Sequence, residues 1–360
     1  MYINKDMKLK LSDLLMRENN NLDLIRLLCA YFVIYSHSFA LSPSAGDVDF
    51  LLKLTGIGYI AFSGVAVKTF FLISGILVTN SLLSTGNITK FVTSRFLRVF
   101  PAFFTVVVLS ALVMGPILTT WTPSAYLSKF TTWHYISKTL SLDIQYILPG
   151  VFDKNTTQAV NGSLWTIPFE VKAYFYLLVL YTLSIPLGKY KTYFIGIVSI
   201  AIFLEPLTPF KGMLIAKSDD PSIYELYPFF AFGCLLALAK EKINIGIYVP
   251  ITFAIIYLLS SSETYKIMFF YLAASTLLIY ASSLKVIIGI KLKHDISYGV
   301  YLWAFPTQQA IATIYPGQPY LNMSLSILIT TIIAYASFIF IEAPAMNLRH
   351  KLKALFANSN

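Results

Sequence analysis

The sequence predicts an all-α integral membrane protein, a bundle of about ten transmembrane helices with both termini in the cytoplasm. Three observations carry that prediction. Of the 360 residues, 57% are hydrophobic and only 12% are charged, about half the charge of a soluble domain. Mean hydropathy is +0.69, and apolar runs recur at about 20 residues, the length that crosses a bilayer as a helix. The runs are continuous rather than alternating, so of the two architectures that satisfy their own backbone in lipid they fit helices and not a closed barrel.

Residues 1–20 are polar and basic, through Lys5, Lys8, Lys10 and Arg17, and form a cytoplasmic segment. No cleavable leader is expected, because the first apolar run carries Arg26 and His37 where a leader would be plain. That run, 22–42, is the first span. A loop with Pro43, Gly46, Asp47 and Asp49 leads to a second span over 59–83. A polar turn and the stretch SRFLRVFP precede a third over 100–119. Segment 120–162 is rich in loop-forming residues but holds Trp121, Trp133 and Tyr135, so an ordered lid or a half-buried loop is expected there. Further spans fall at 163–184, 192–206, 222–239, 245–261, 266–283, 296–315 and 323–344, which makes 21–348 one membrane domain followed by a basic tail, 349–360.

Charge distribution sets the orientation. Seventeen Lys and Arg fall on the side of the termini and seven on the other, which by the positive-inside rule puts both termini in the cytoplasm. The same tally accounts for the net charge of +10 without nucleic acid. Cys29 and Cys234 both lie in spans, so no disulfide framework or metal pattern is present. A Gly-rich phosphate loop and a serine nucleophile elbow are also absent.

Five groups of residues carry chemistry. Arg26 and His37 are eleven residues apart, which returns to the same helix face about 16 Å along the axis. Ionisable groups inside spans are costly and line functional cavities. A histidine's ordinary pKa lies near neutrality and suits a general base for a hydroxyl, although a packing histidine would also occupy such a place. Arg95 and Arg98, at i and i+3, share a face and make either a seat for an anionic, phosphate-bearing ligand or a plain interfacial anchor. In SLWTIPFEVK, Pro168 interrupts the helix ladder, and Glu170 and Lys172 both fall within the span. Glu170 either orients His37 or pairs between helices, Lys68 being one partner. Lys68 and the small pair Ser74-Gly75 mark the second span, and Tyr298, Tyr301, Trp303, Gln308 and Gln309 give the ninth span groups that suit a sugar or an interface.

Six segments in order then resemble the acyltransferase 3 family of integral-membrane acyltransferases that modify bacterial surface glycans: Arg26 with His37, FFLISGIL (70–77), SRFLRVFP (94–101), SLWTIPFE (163–170), SYGVYLWAFP (297–306) and IEAP (341–344). The resemblance covers roughly residues 20–348. It implies a multi-pass protein of the bacterial inner membrane, with acetyl-CoA or another acyl-CoA as co-substrate and no tightly bound cofactor or metal. The acceptor it implies is a sugar hydroxyl of a polysaccharide or lipid-linked oligosaccharide. It makes His37 catalytic with Glu170 behind it, and Arg26, Arg95 and Arg98 the acyl-CoA contacts. Lys68, Ser74, Ser163, Trp165, Lys172, Tyr298 and Tyr301 are the further pocket candidates. Many members have a histidine near the position of Ala304, so here the role falls on His37 alone. The chain ends shortly after Pro344, so a stand-alone member without an appended hydrolase domain is expected. Whether His37 moves only a proton or also carries the acyl group is open. The rival reading is a non-enzymatic transporter or flippase of an anionic lipid-linked glycan, against which the lack of an internal repeat counts. A purely structural membrane subunit would have no use for Arg26 and His37 on one face.

Overall fold

The structure, a computed structural model, describes residues 9–209, 213 and 226–348. The tail 349–360, residues 1–8 of the N-terminal segment, residues 222–225 of the expected sixth span, and Lys211 and Lys217 of the charge tally lie outside the described residues.

Among the described residues there are eleven helices of at least ten residues. They are α1 (Leu22–Leu41), α2 (Phe62–Thr85), α3 (Ile88–Leu109), α4 (Phe130–Leu140), α5 (Thr166–Ser184) and α6 (Lys191–Leu204), then α7 (Leu226–Leu238), α8 (Tyr248–Leu259), α9 (Glu263–Ser282), α10 (Ser297–Ile314) and α11 (Pro319–Ser337). Leu9–Lys10 pairs antiparallel with Asn244–Ile245. Among the described residues six stretches are long and apolar enough to cross a membrane: Leu22–Leu41, Phe62–Thr85, Ile88–Leu118, Gly162–Leu207, Glu263–Ser282 and Pro319–Leu348. Helices α7 and α8 are shorter but apolar. Helix α10, expected as a span, is too polar to count among the six, because Thr307, Gln308 and Gln309 interrupt its apolar sequence.

The SRFLRVFP stretch does not precede its span but belongs to it. Asn87 caps α3 by accepting from the Lys90 amide at 2.8 Å, and the helix then runs through a π turn, Ser110–Met114, to Leu118. Segment 120–162 is ordered, as expected. Thr122 caps the short helix Pro123–Ser128. The Tyr126 hydroxyl donates to the Ala111 carbonyl at 2.7 Å. Tyr126 and Tyr135 are fully buried, and that burial pushes both phenols above their ordinary pKa.

The chain forms two compact units. The first comprises Met1–Cys29, Leu54–Gly86 and Phe169–Lys293; the second comprises Ala30–Lys53, Asn87–Pro168 and His294–Asn360. In the first, α2 packs against α7 and α9, α6 against α7, and α8 against α9. Gly75 and Gly233 are what let α2 and α7 close: a Cβ on either would run into the other helix's backbone, at Phe230 or at Leu72. Small residues permit this approach where lipid removes the hydrophobic drive between helices. In the second unit α10 is the organising helix, packed on α11, α3 and the 3-10 turn Gly162–Trp165.

Candidate active site

The second unit gathers His37, Arg95, Arg98, Ser163, Trp165, Tyr298 and Tyr301. Its local structure begins with Pro306. Proline has no N–H, so a helix that contains one leaves the carbonyl four residues earlier without its helical donor. In α10 that carbonyl belongs to Leu302, and the Asn161 side-chain amide takes it at 2.9 Å. Asn161 also accepts from the Ser163 amide at 3.2 Å and so starts the Gly162–Trp165 turn. The next residue, Gly162, carries the Phe305 ring where a Cβ would stand. Phe305 in turn meets the His37 imidazole edge-on, with ring centroids 5.3 Å apart at 79°. One proline thus links the NGSLW and YLWAFP segments to His37.

His37 sits half-buried on an unbroken helix, and its Nδ1 is shut away from solvent with no hydrogen-bond partner. The Ser163 hydroxyl is likewise buried and without a partner. The Ser163 carbonyl accepts from the Tyr301 hydroxyl at 2.9 Å, and that hydroxyl lies 2.7 Å from Thr166 Oγ1. Trp165 is half-buried in the same turn.

The two arginines of α3 part company. Arg98 bridges two carboxylates, Asp295 at 2.6 Å and Glu342 at 3.2 Å. Its guanidinium also faces the Tyr298 ring at 5.7 Å, and the Tyr298 hydroxyl donates to the Val99 carbonyl at 3.0 Å. Glu342 closes a second π turn, Phe338–Glu342. π turns re-aim side chains within a helix and often mark functional places. Arg95 is half-buried and carries no ion pair among the described residues.

The first unit holds Arg26, Lys68, Ser74, Glu170 and Lys172. Glu170 accepts a hydrogen bond from the Tyr174 hydroxyl, one turn along α5. That hydroxyl is also 3.5 Å from Ser74 Oγ, so Tyr174 joins two of the predicted residues. Lys68 is buried at 3% exposure, its Nζ 4.0 Å from the centroid of the Tyr271 ring. Burial without solvent is where a cation gains most from an aromatic face. Arg26 is half-buried near the start of α1. Lys172 is exposed, its ammonium 5.7 Å over the Phe169 ring.

Residues 19–342 match the acyltransferase domain of the acyltransferase 3 family. The chain belongs to that family. It is 26% identical over 341 residues to an O-acetyl transferase of Shigella phage Sf6, covering 91% of this chain and 96% of that protein. It is 33% identical over 162 residues to nodulation protein 10 of Rhizobium leguminosarum bv. viciae, covering 43% of this chain and 42% of that one. No solved structure matches. As an acyltransferase 3 protein with several apolar spans, the chain is a multi-pass membrane enzyme of acyl transfer.

Several residues of these contacts were not named individually from the sequence. Asp295 and Glu342 bind Arg98 from 197 and 244 residues away, and Asn161 and Phe305 in the second unit and Tyr174 in the first act through contacts of the folded chain. Phe305 and Glu342 lie in the YLWAFP and IEAP segments, and Asn161 has a local signal of its own, since Pro306 announces an open carbonyl in the YLWAFP helix.

Proposed function

We propose that this acyltransferase moves an acyl group, acetyl in the simplest case, from acyl-CoA to a sugar hydroxyl of a cell-envelope polysaccharide or its lipid-linked precursor. The observation that carries the reading is His37: a titratable ring on an apolar helix, braced by Phe305, with a buried nitrogen that no protein group engages. His37 takes the proton of the sugar hydroxyl as its oxygen attacks the thioester carbon. The carbon–sulfur bond breaks and the CoA thiolate leaves. The proton then passes from His37 to the thiolate, giving the sugar ester and CoA thiol. Arg95 meets the CoA phosphates, for which a guanidinium is suited, and Arg98 holds the neighbouring helices through its two carboxylates. The Ser163 hydroxyl and Trp165 face the acceptor, while the Tyr301 and Tyr298 hydroxyls are engaged by the Ser163 and Val99 carbonyls.

The test uses washed membranes from cells making the full chain, radiolabelled acetyl-CoA, and label recovered in the glycan fraction. Wild type transfers label, His37→Ala does not, and Arg95→Gln raises the acetyl-CoA concentration needed for half-maximal rate. Wild-type transfer by His37→Ala would sink the mechanism.

A further inference from the structure

Gln308 has no exposed surface, yet it is polar and lies in a membrane protein's core. Its side-chain nitrogen donates to the Ile34 carbonyl at 2.8 Å and lies 2.9 Å from Ser38 Oγ and 3.1 Å from Asn322 Oδ1. Asn322 returns a hydrogen bond from its own amide nitrogen to the Gln308 carbonyl at 2.8 Å. Ser38 donates to the Ile34 carbonyl as well, at 2.8 Å.

Two backbone carbonyls fix the orientation of both amides. A carbonyl only accepts, so the Gln308 nitrogen must face Ile34, and the Asn322 nitrogen must face Gln308. Flipping either amide would set oxygen against oxygen. The consequence is that Gln308 Oε1 points away from the network and is buried with no donor. An unmet buried acceptor costs free energy that an apolar side chain of the same shape would not. Gln308 is therefore a poor choice for stability alone.

What the network holds is the turn Ile34–Ser38, and His37 lies inside that turn. Phe305, one turn before Gln308 on α10, presses on the imidazole itself. We infer that Gln308 is a positioning residue, which fixes the helical turn of His37 so that the imidazole meets the reacting hydroxyl. The inference rests on the proposed role of His37 in acyl transfer. It assigns Gln308 no contact with the reacting atoms: it acts through Ile34 and Ser38. Orientation is what it supplies, and an error of about 1 Å in a reacting group costs on the order of 100-fold in rate.

The experiment measures transfer from radiolabelled acetyl-CoA in membranes carrying the full chain, with thermal melting of each variant in detergent. Gln308→Leu is expected to lower the maximal rate per folded molecule by at least tenfold. Its half-saturating acetyl-CoA concentration stays within about twofold and its melting temperature falls little, because Leu removes the unmet acceptor together with the donor while the Ser38 hydroxyl remains beside the acceptors of Ile34 and Asn322. Ser38→Ala, which takes away one of the three acceptors, gives a smaller rate loss in the same direction. In a His37→Ala background Gln308→Leu adds nothing to the loss already present. Should Gln308→Leu fail to fold, Gln308→Met keeps the chain length without the donor and carries the same readout. An undiminished rate per folded molecule overturns the inference, as does a rate loss matched by lost folded protein, or one that multiplies the effect of His37→Ala. If His37→Ala transfers normally, the underlying role of His37 fails; if it is inactive while Gln308→Leu is normal, only the role of Gln308 fails.

Discussion

In the first unit, α2 and α7 meet backbone to backbone at Gly75 and Gly233, and apolar rings pack nearby, such as Phe203 stacked on Phe232 at 5.0 Å. In the second, α10 meets its neighbours through amides, hydroxyls and a caged guanidinium: Gln308 on Ile34, Asn161 on Leu302, and Arg98 between Asp295 and Glu342. The difference is also one of completeness. Among the described residues, the buried side-chain atoms without hydrogen-bond partners on His37, Ser163, Trp303 and Gln308 all belong to the second unit. Close packing of small residues makes a scaffold. Polar groups held in fixed geometry, some with capacity unspent, make a place for a polar ligand. The polar groups around α10 in the second unit are where substitutions should change chemistry, and the glycine contact of the first is where they should change only stability.

The largest expected effect tests that division directly. Removing a general base costs about 10²–10⁴-fold in rate, so His37→Ala should lose transfer by that factor while its melting temperature stays near wild type. The ring's buried nitrogen is bonded to nothing, so little packing enthalpy depends on it beyond the Phe305 contact. A variant that instead melts early and keeps its rate per folded molecule would make His37 a scaffold residue and erase the contrast.

Next in size is the arginine cage. Glu342 is 2% exposed, and Asp295 and Arg98 are 17% and 18% exposed. Arg98→Met leaves two carboxylates facing each other without their cation, and breaking a buried pair in this way costs about 3 kcal/mol. The loss should appear as a lowered melting temperature in detergent. Arg98→Lys should restore only part of it, because an ammonium cannot fork between two carboxylates as a guanidinium does. If Arg98→Met melted like wild type, the cage would hold nothing together.

This cage also shows what the sequence conceals. Hydropathy is a local property, so the long spans were legible at once, as was the ordered character of 120–162 from its aromatics. Helix α10 reads as a span from its apolar residues, and Gln308 and Gln309 set its hydropathy below that of the six long apolar stretches. Arg95 and Arg98 look equivalent as a pair on one face, and nothing nearby distinguishes them. Only folding brings Asp295 and Glu342 to one of the two. Lys172 lies within the apolar stretch Gly162–Leu207, and only the folded chain shows its side chain on the outer face of α5 rather than in the core. His37 was legible because a titratable ring in an apolar run stands out without any partner being known.

The contrast sharpens in the first unit with Gly75→Leu. The atoms a side chain would meet there belong to the backbone of α7, which cannot rotate aside. Overpacking of this kind costs roughly 2 kcal/mol. Folded yield and melting temperature should fall, while transfer per folded molecule and half-saturating acetyl-CoA stay as in wild type. A change in either kinetic quantity would mean that the first unit's packing feeds into the chemistry.

The smallest effect belongs to an ion pair of the second unit that lies at its surface. Lys138 and Asp143 are 3.3 Å apart, with side chains 48% and 60% exposed. Like the Arg98 cage it sets a cation against a carboxylate in the same unit, but with one partner and in solvent. Water screens both charges, and two mobile side chains lose entropy in holding one geometry. Asp143→Asn should therefore shift stability by about 0.5 kcal/mol or less, a change in melting temperature near the limit of detection, against the drop expected for Arg98→Met. A large shift would mean that polar contacts matter throughout the second unit regardless of burial. A negligible one ties the unit's behaviour to water exclusion, since the same pair of charges then counts in the core and not at the surface.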